Sequence, residues 1–543
     1  MNSNSNADVV IVGTGVVGVL IAEQLLDAGI SVLMLEAGPR VARSDIVENF
    51  RNLPLALKGD PSSCYPPRPW APHPMPSSEN PEDHYLELTG PDKYAQTFIR
   101  YAGGSTWHWA GTCWRLTPDD MRLHSRYGVG RDWAFGYDEL EPFYTRVEHK
   151  LGICGPSEPE LQWPPLRSQP YPMPALPFSP GEQRFTDVVK SLGYRNIPTA
   201  QARNSGIPYD DRPACCANNN CVPVCPVGAK YDAATALGRL EAKGATILTD
   251  AVVYRVDTDG RNQVEAVNYF DANKQTHRIS GKIFVLACNG IETPKLLLMS
   301  ANSRNANGLA NSSDQVGRNM MDHPQLTMTL TLSEPYWSGV GPVVNSGIME
   351  TSQGDFRSEH AGAYFRYNNF ARNRFVTFGA LKKGLVGRAL DEEIRRMAGC
   401  TADIVLAHEV LPDPNNRLTL STKKDWLGLP RPAIHYDVGD YTRRSAENYS
   451  LPIGKRIAEA MGATDIKISP KFAQSKHIMG GTIMGTDPAN AVVDAECRAY
   501  DHQNLFLPGG GAMASTACGN STISMAALGL KAADAIVRQM RKA

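Results

Sequence analysis

From Ala7 the chain opens on an unbroken apolar run, DVVIVG, and then changes period. Apolar residues at helical spacing follow from Val16 to about Ala28, and a second apolar run, SVLMLE, comes next. Short apolar runs bounded by glycine read as buried strands, and a spacing near 3.6 reads as a helix, so this is one β-α-β unit. Strand-like alternation returns at 245–256 and at 275–288, the latter ending in IFVLACNG. From about Gln325 to Ile434 the pattern is mostly strands, with one helical insert near Leu381 to Met397. The last segment, Asn504 to Met540, reads as a strand, a glycine-rich turn and a long helix with Ala and Leu at helical spacing.

Two proline-rich stretches interrupt these patterns. The first, 61–81, is expected to form an irregular strap, because Tyr65 and Trp70 favour burial. The second, 156–180, delivers the chain toward a cysteine-rich run. Segments far apart in sequence therefore build one nucleotide-binding domain (1–60, 231–320 and 475–543). The middle builds a sheet-based second domain (61–200 and 321–474), with a loop insertion at 201–230. The expected class is α/β, α+β overall.

Length and composition narrow the function. A chain of 543 residues, 42% hydrophobic and 20% charged, suits a soluble protein of two or three domains. With 55 basic and 56 acidic residues, no cationic surplus supports nucleic-acid binding. No stretch of about 20 apolar residues appears, so contact with a membrane is expected only through a partner. The start carries no basic, apolar leader pattern.

Gly13, Gly15 and Gly18 form G-T-G-V-V-G between the first strand and its helix. Gly13 permits the tight turn, Gly15 lets backbone approach a pyrophosphate, and Gly18 lets helix pack on strand. Glu36, ending the second strand, is the expected acceptor for a ribose hydroxyl. The N-terminal position, the continuation into EAGPR and a second glycine-rich turn, GGSTWHW at 103–109, favour FAD over NAD.

The densest chemistry is CCANNNCVPVCPVGA, with Cys215, Cys216, Cys221 and Cys225 inside eleven residues. Its C-x3-C-P ending matches that of bacterial ferredoxin loops, so an iron–sulfur cluster is the favoured reading. Zinc or a pair of disulfides are the alternatives. Zinc sites usually show two C-x2-C halves, which are missing. The odd total of 11 cysteines at scattered spacing is a poor disulfide framework.

Together VGTGVVG…LEAGP, GGST, VLACNGIETPKLLL, VGRNMMDHP and HIMGGTIMG…GNSTISMAAL resemble the glucose–methanol–choline (GMC) family of flavin oxidoreductases over nearly the whole chain. The cysteine insert is similar to that of the catalytic large subunits of bacterial membrane-associated fructose, glucose and sorbitol dehydrogenases. HEVLPDPNNRLTLS and the region around DEEIRR look most like the fructose enzyme.

The resemblance implies His477 and Asn520 as the catalytic pair. A neutral imidazole takes the hydroxyl proton while hydride leaves carbon, and the amide steadies developing alkoxide charge. It implies that Gly103, Gly104 and Ser105 pass close to the flavin ring, and that Val253 and Asn289 line the FAD groove. Related enzymes carry Asn before the histidine where this chain has Lys476, a candidate for substrate specificity that would also depress protonation of the base; the alternative is a side chain turned away to solvent. His108 lies near a position where some relatives attach flavin covalently, but in a shifted register that favours aromatic packing. Asp322 and His323 read as structural rather than catalytic.

By the same resemblance the cluster is of the three-iron, four-sulfide type rather than four-iron. Its ligands are Cys215, Cys221 and Cys225, spaced C-x5-C-x3-C. Implied partners are a sugar or polyol substrate, a small subunit bearing an export signal and a multi-haem cytochrome c subunit in the membrane. The implied location is the periplasmic face of a bacterial inner membrane, reached by export of the folded chain with its partner. A family oxidase that uses oxygen and a non-catalytic electron-transfer flavin subunit are the rival readings.

Overall fold

In the computed structural model the described residues are 7–55, 58, 63–66, 68, 70–72, 84–94 and 97–542. The β-α-β unit forms as its pattern predicts: strand Ala7–Val12, helix Val16–Asp27 and strand Val32–Leu35. Ala7–Val12 sits at the centre of a seven-stranded sheet, parallel to Val32–Leu35 on one side and to Thr276–Leu286 on the other. Thr246–Leu248 extends the sheet beyond Val32–Leu35, and Leu505–Phe506 pairs with Thr276–Leu286. Strands Val252–Thr258 and Val264–Phe270 complete it as an antiparallel pair.

Helix Thr522–Met540 is buried along most of its length because Ala and Gly let neighbours come close. At Gly529 an added Cβ would stand 3.0 Å from Val17 Cγ1, which presses this helix against Val16–Asp27.

A second, antiparallel sheet runs in the order Ala363–Tyr367, Thr401–His408, Gln325–Leu332, Ala463–Ile468. In Gln325–Leu332 every second residue (Leu326, Met328, Leu330 and Leu332) is buried, the period-two pattern of a strand with one face on a core. The single helical insert expected near Leu381 to Met397 is corrected to two helices, Asn373–Lys382 and Gly387–Cys400. Gly384, with φ +77°, and Gly387, with φ +58°, turn the chain between them in a region L side chains avoid.

The strap is described only in part. Tyr65 is buried with its hydroxyl on the Pro223 carbonyl (2.8 Å), and Trp70 Nε1 donates to Asp250 (2.8 Å). Most of the remaining residues of 61–81 lie outside the described set. No helix among the described residues is long and apolar enough to cross a membrane.

Candidate active site

A cavity opens at the C-terminal ends of the parallel strands, where dinucleotides bind in such folds. Of the residues expected there, it is lined by Gly13, Gly15, Glu36, Gly104, Ser105, Val253, Asn289, Lys476 and His477.

The glycines fit their assigned tasks. Gly13 has φ +105°, and a Cβ on it would stand 2.7 Å from the Ala287 carbonyl oxygen. A Cβ on Gly18 would lie 2.1 Å from the Gly13 oxygen, so that position serves packing and faces away from the cavity. Around Gly15 nothing stands within 4 Å, the open cradle a pyrophosphate needs. Gly103 packs beneath the second turn, where a Cβ would meet Ala234 N at 2.7 Å. Thr14 Oγ1 receives the Gly103 N–H (3.1 Å), which joins the two glycine turns.

Glu36 accepts from the Thr14 N–H (3.0 Å), the Thr14 hydroxyl (2.6 Å) and the Gly38 N–H (3.0 Å). Burial raises its carboxyl above the ordinary range despite those donors. Asn289 lines the groove and also accepts from the Ile291 and Glu292 N–H groups, starting helix Glu292–Met299. The sequence reading missed the polar end of the cavity. There Arg100 pairs with Glu292 (2.6 Å), and Lys295 donates to Tyr85 Oη (2.7 Å). His108 is buried, lines the cavity and packs its ring near Tyr65, with centroids 6.1 Å apart.

His477 Nε2 lies 2.9 Å from Asn520 Nδ2, although 43 residues separate them. Its other nitrogen, Nδ1, lies 2.7 Å from His323 Nδ1 and 2.9 Å from Ser475 Oγ. The tautomers follow by elimination. His323 Nε2 faces the Thr516 carbonyl at 3.0 Å and must donate, so neutral His323 offers Nδ1 as an acceptor. His477 Nδ1 therefore carries the hydrogen. Ser475 gives its own hydroxyl hydrogen to Asp322 (2.5 Å), so it too accepts at this point. Nε2 of His477 is left unprotonated, and it accepts from Asn520 Nδ2 (2.9 Å).

The partner amide is oriented by the same logic. Tyr364 donates to Asn520 Oδ1 (3.3 Å), which turns Nδ2 toward His477. One of the two N–H groups on Nδ2 remains to meet a substrate oxygen beside Nε2.

Asp322 makes the scaffold. It accepts from the His323 N–H (2.8 Å), the Ser475 N–H (3.0 Å) and the His477 N–H (2.9 Å). Between the last two, Lys476 takes φ +70°, a costly conformation for a side-chain-bearing residue that this clamp stabilises. Burial first, then the repulsion that protonation of His323 would bring, and then the charges of Arg366 and Lys476 hold His477 well below its usual pKa. Lys476 lines both this cavity and a second one bordered by Asn219, Asn220, Arg374 and Phe375.

The cysteine run forms an irregular loop. Its neck is an antiparallel bridge between Arg203 and Lys230, and Asn219 pins it to the Gly341 and Asn369 carbonyls (2.9 and 2.8 Å). No disulfide joins any cysteine. Among the described residues no three His, Cys, Asp or Glu side chains converge as ligands of one metal ion.

The thiols of Cys221, Cys215 and Cys225 all act on the charge of one buried guanidinium, Arg203. Burial works against ionisation of Cys225, yet Arg203 and the Lys230 N–H bring it below the ordinary thiol value. Cys154, also near Arg203, is pushed up by burial to about 11. This donor set fits an anionic cluster. Lys230 links the loop to the flavin-side turn by donating to the Thr106, Trp107 and Trp109 carbonyls (3.2, 2.8 and 2.7 Å).

Comparison with known proteins places this geometry in a lineage. The chain is 50% identical to the fructose dehydrogenase large subunit of Gluconobacter japonicus, covering all of this chain and 99% of that protein. It is 24% identical to the gluconate 2-dehydrogenase flavoprotein of Pantoea cypripedii over 100% of this chain and 95% of that one. Pyridoxine 4-oxidase from Mesorbium loti shares the fold, with a TM-score of 0.64 at 20% identity over 99% and 100% of the two chains. The GMC oxidoreductase description matches residues 10–325 and 412–529, and the chain belongs to that family.

Proposed function

We propose that the protein is a FAD-dependent dehydrogenase that oxidises a hydroxyl of a sugar or polyol, a fructose-like sugar first. The observation that carries this reading is the unprotonated Nε2 of His477, held against the Asn520 amide at the rim of a cavity built for a dinucleotide. The 50% identity to a fructose dehydrogenase large subunit supports the substrate class.

The glycine turns at Gly13–Gly18 and Gly103–Ser105, with Glu36, Val253 and Asn289, would hold the FAD. Bound flavin supplies a hydride acceptor. His477 Nε2 takes the hydroxyl proton as the carbon–hydrogen bond breaks, while Nδ1–H stays anchored on His323 and Ser475. The spare N–H of Asn520 donates to the substrate oxygen, where negative charge develops. Burial keeps the imidazole neutral and ready to accept. Lys476, shared by the two cavities, faces the route a sugar would take.

Cys215, Cys221 and Cys225 would hold a three-iron cluster, which supplies one-electron transfer out of the flavin domain. We assign the cytochrome c and export-signal subunits and the periplasmic location to the same reading, on the strength of a relative named as a large subunit.

Anaerobic flavin bleaching by fructose, glucose, sorbitol and sugar acids tests the proposal. Fructose-like sugars should bleach fastest, and His477→Ala should abolish bleaching. Undiminished bleaching in that variant would refute the assignment. Stoichiometric peroxide in air, in place of rapid dye or cytochrome reduction, would favour an oxidase.

A further inference from the structure

Arg203 is only 1% exposed, and it forms no ion pair with any carboxylate among the described residues. Its hydrogen bonds go to neutral acceptors, with Nε on Gln201 Oε1 (3.3 Å) and Nη2 on the Ala110 carbonyl (3.1 Å). Arg115 is paired with Glu148 (2.8 Å), and Arg357 with both Asp120 (2.9 Å) and Glu409 (2.6 Å), whereas buried Arg212 rests on the Ala229 and Leu151 carbonyls (3.3 and 2.8 Å). A guanidinium cannot shed its proton, so burying one without an anion is costly. The cysteine loop starts beside it, where the Cys215 N–H donates to the Asn204 carbonyl (3.0 Å), and the thiols of Cys221, Cys215, Cys225 and Cys154 are the groups that favour its charge.

Arg203 also occupies a fixed place. Its backbone bridges to Lys230 at the neck of the loop, so the charge cannot swing to solvent without opening that neck. Here lies an internal cation whose missing partner is whatever negative group the loop holds.

We propose that Arg203 is the built-in counter-charge of the group held by Cys215, Cys221 and Cys225, and that it raises the reduction potential of that group. The inference rests on the iron–sulfur reading given above. Reduction adds one electron, supplied by oxidation of the sugar or by dithionite in an assay, and no bond is made or broken. The added negative charge is stabilised by a fixed positive charge in a low-dielectric interior. A neutral residue in its place disfavours the reduced form, and a lysine keeps most of the effect.

The test uses the full-length holoprotein with its cofactors and compares Arg203→Met with Arg203→Lys. Iron per chain, the electron paramagnetic resonance signal and a potentiometric titration are the readouts. In Arg203→Met the reduced-to-oxidised ratio at fixed potential should fall at least tenfold, ~59 mV for a one-electron couple. Arg203→Lys should stay near the wild type. Iron retained only where residue 203 is charged also supports the proposal.

An unmoved potential in an iron-loaded Arg203→Met protein overturns it. So does equal loss of iron from both folded variants, because shape and not charge would then be at work. If Arg203→Met does not fold, Arg203→Gln carries the same comparison. Wild-type protein without an iron signal would sink the cluster reading itself, a result separate from any of these.

Discussion

His323 Nδ1 stands 2.7 Å from His477 Nδ1, and this contact between two like nitrogens decides which end of His477 is the base. Because His323 spends its only hydrogen on Thr516, His477 must donate here and keep Nε2 unprotonated, where it accepts from Asn520. Removing the acceptor frees the tautomer. His323→Leu should slow anaerobic flavin bleaching by about 10²–10³-fold, within the range general-base catalysis supplies. Substrate binding should change far less. His323→Gln, which can still accept, should recover part of the loss. A full rate in the leucine variant would show that Asp322 and Ser475 alone orient the imidazole.

The reaction should resist acid. Burial and neighbouring positive potentials lower the pKa of His477, so the neutral base persists below pH 6.5, where an ordinary histidine titrates. The limiting rate of bleaching should therefore be flat from about pH 8 to 6.5 and decline only at more acidic pH. Lys476→Met removes one repelling charge, which must raise the apparent pKa and move the acid limb upward. Arg366 stands ahead of Lys476 among the causes, so Arg366→Gln should move that limb further. A limb that shifts downward in either variant contradicts the electrostatic account.

Local periodicity made part of this molecule legible in the sequence. The β-α-β unit is contiguous, so one switch of period from DVVIVG to the Val16 helix reveals it. The insert misled because apolar spacing carries on across Lys383–Val386, while Gly384 breaks the helix through backbone conformation. The catalytic pair became readable only through its resemblance to a family, since His477 and Asn520 meet by folding. His323 lies 154 residues from His477, and Arg203 is separated from Cys215 by eleven positions of irregular chain. Contacts of that kind leave no period to read.

His408 should make the fold sensitive to acid. It is fully buried, its Nδ1 lies 3.2 Å from the Pro324 carbonyl, and its Nε2 lies 2.7 Å from Ser450 Oγ. Burial pushes its pKa down to about 4. Below the unfolded value near 6.5 the unfolded chain binds a proton that the native state refuses, so stability falls as pH drops. The loss approaches ~3 kcal/mol near pH 4 and then levels off. Denaturant melts at pH 7 and pH 4.5 should show it, and His408→Gln should flatten the difference. An equal acid loss in that variant would place the sensitivity elsewhere.

The two glycines of the first turn should fail in different ways. At Gly13, φ +105° and a Cβ only 2.7 Å from the Ala287 oxygen make alanine a folding defect, costing about 1–3 kcal/mol. At Gly15, φ −67° and ψ −179° suit any residue, and no atom lies within 4 Å of an added Cβ. Gly15→Ala should therefore leave the melting temperature of the flavin-free chain unchanged. The new methyl points into the cradle between the two glycine turns, where a Cβ on Gly104 would itself come within 3.2 Å of the Gly15 Cα. FAD should bind about tenfold more weakly, ~1.4 kcal/mol, read as flavin per chain after dialysis. Full flavin content in Gly15→Ala would mean that the pyrophosphate does not approach the backbone there, and that the cavity is occupied in another pose.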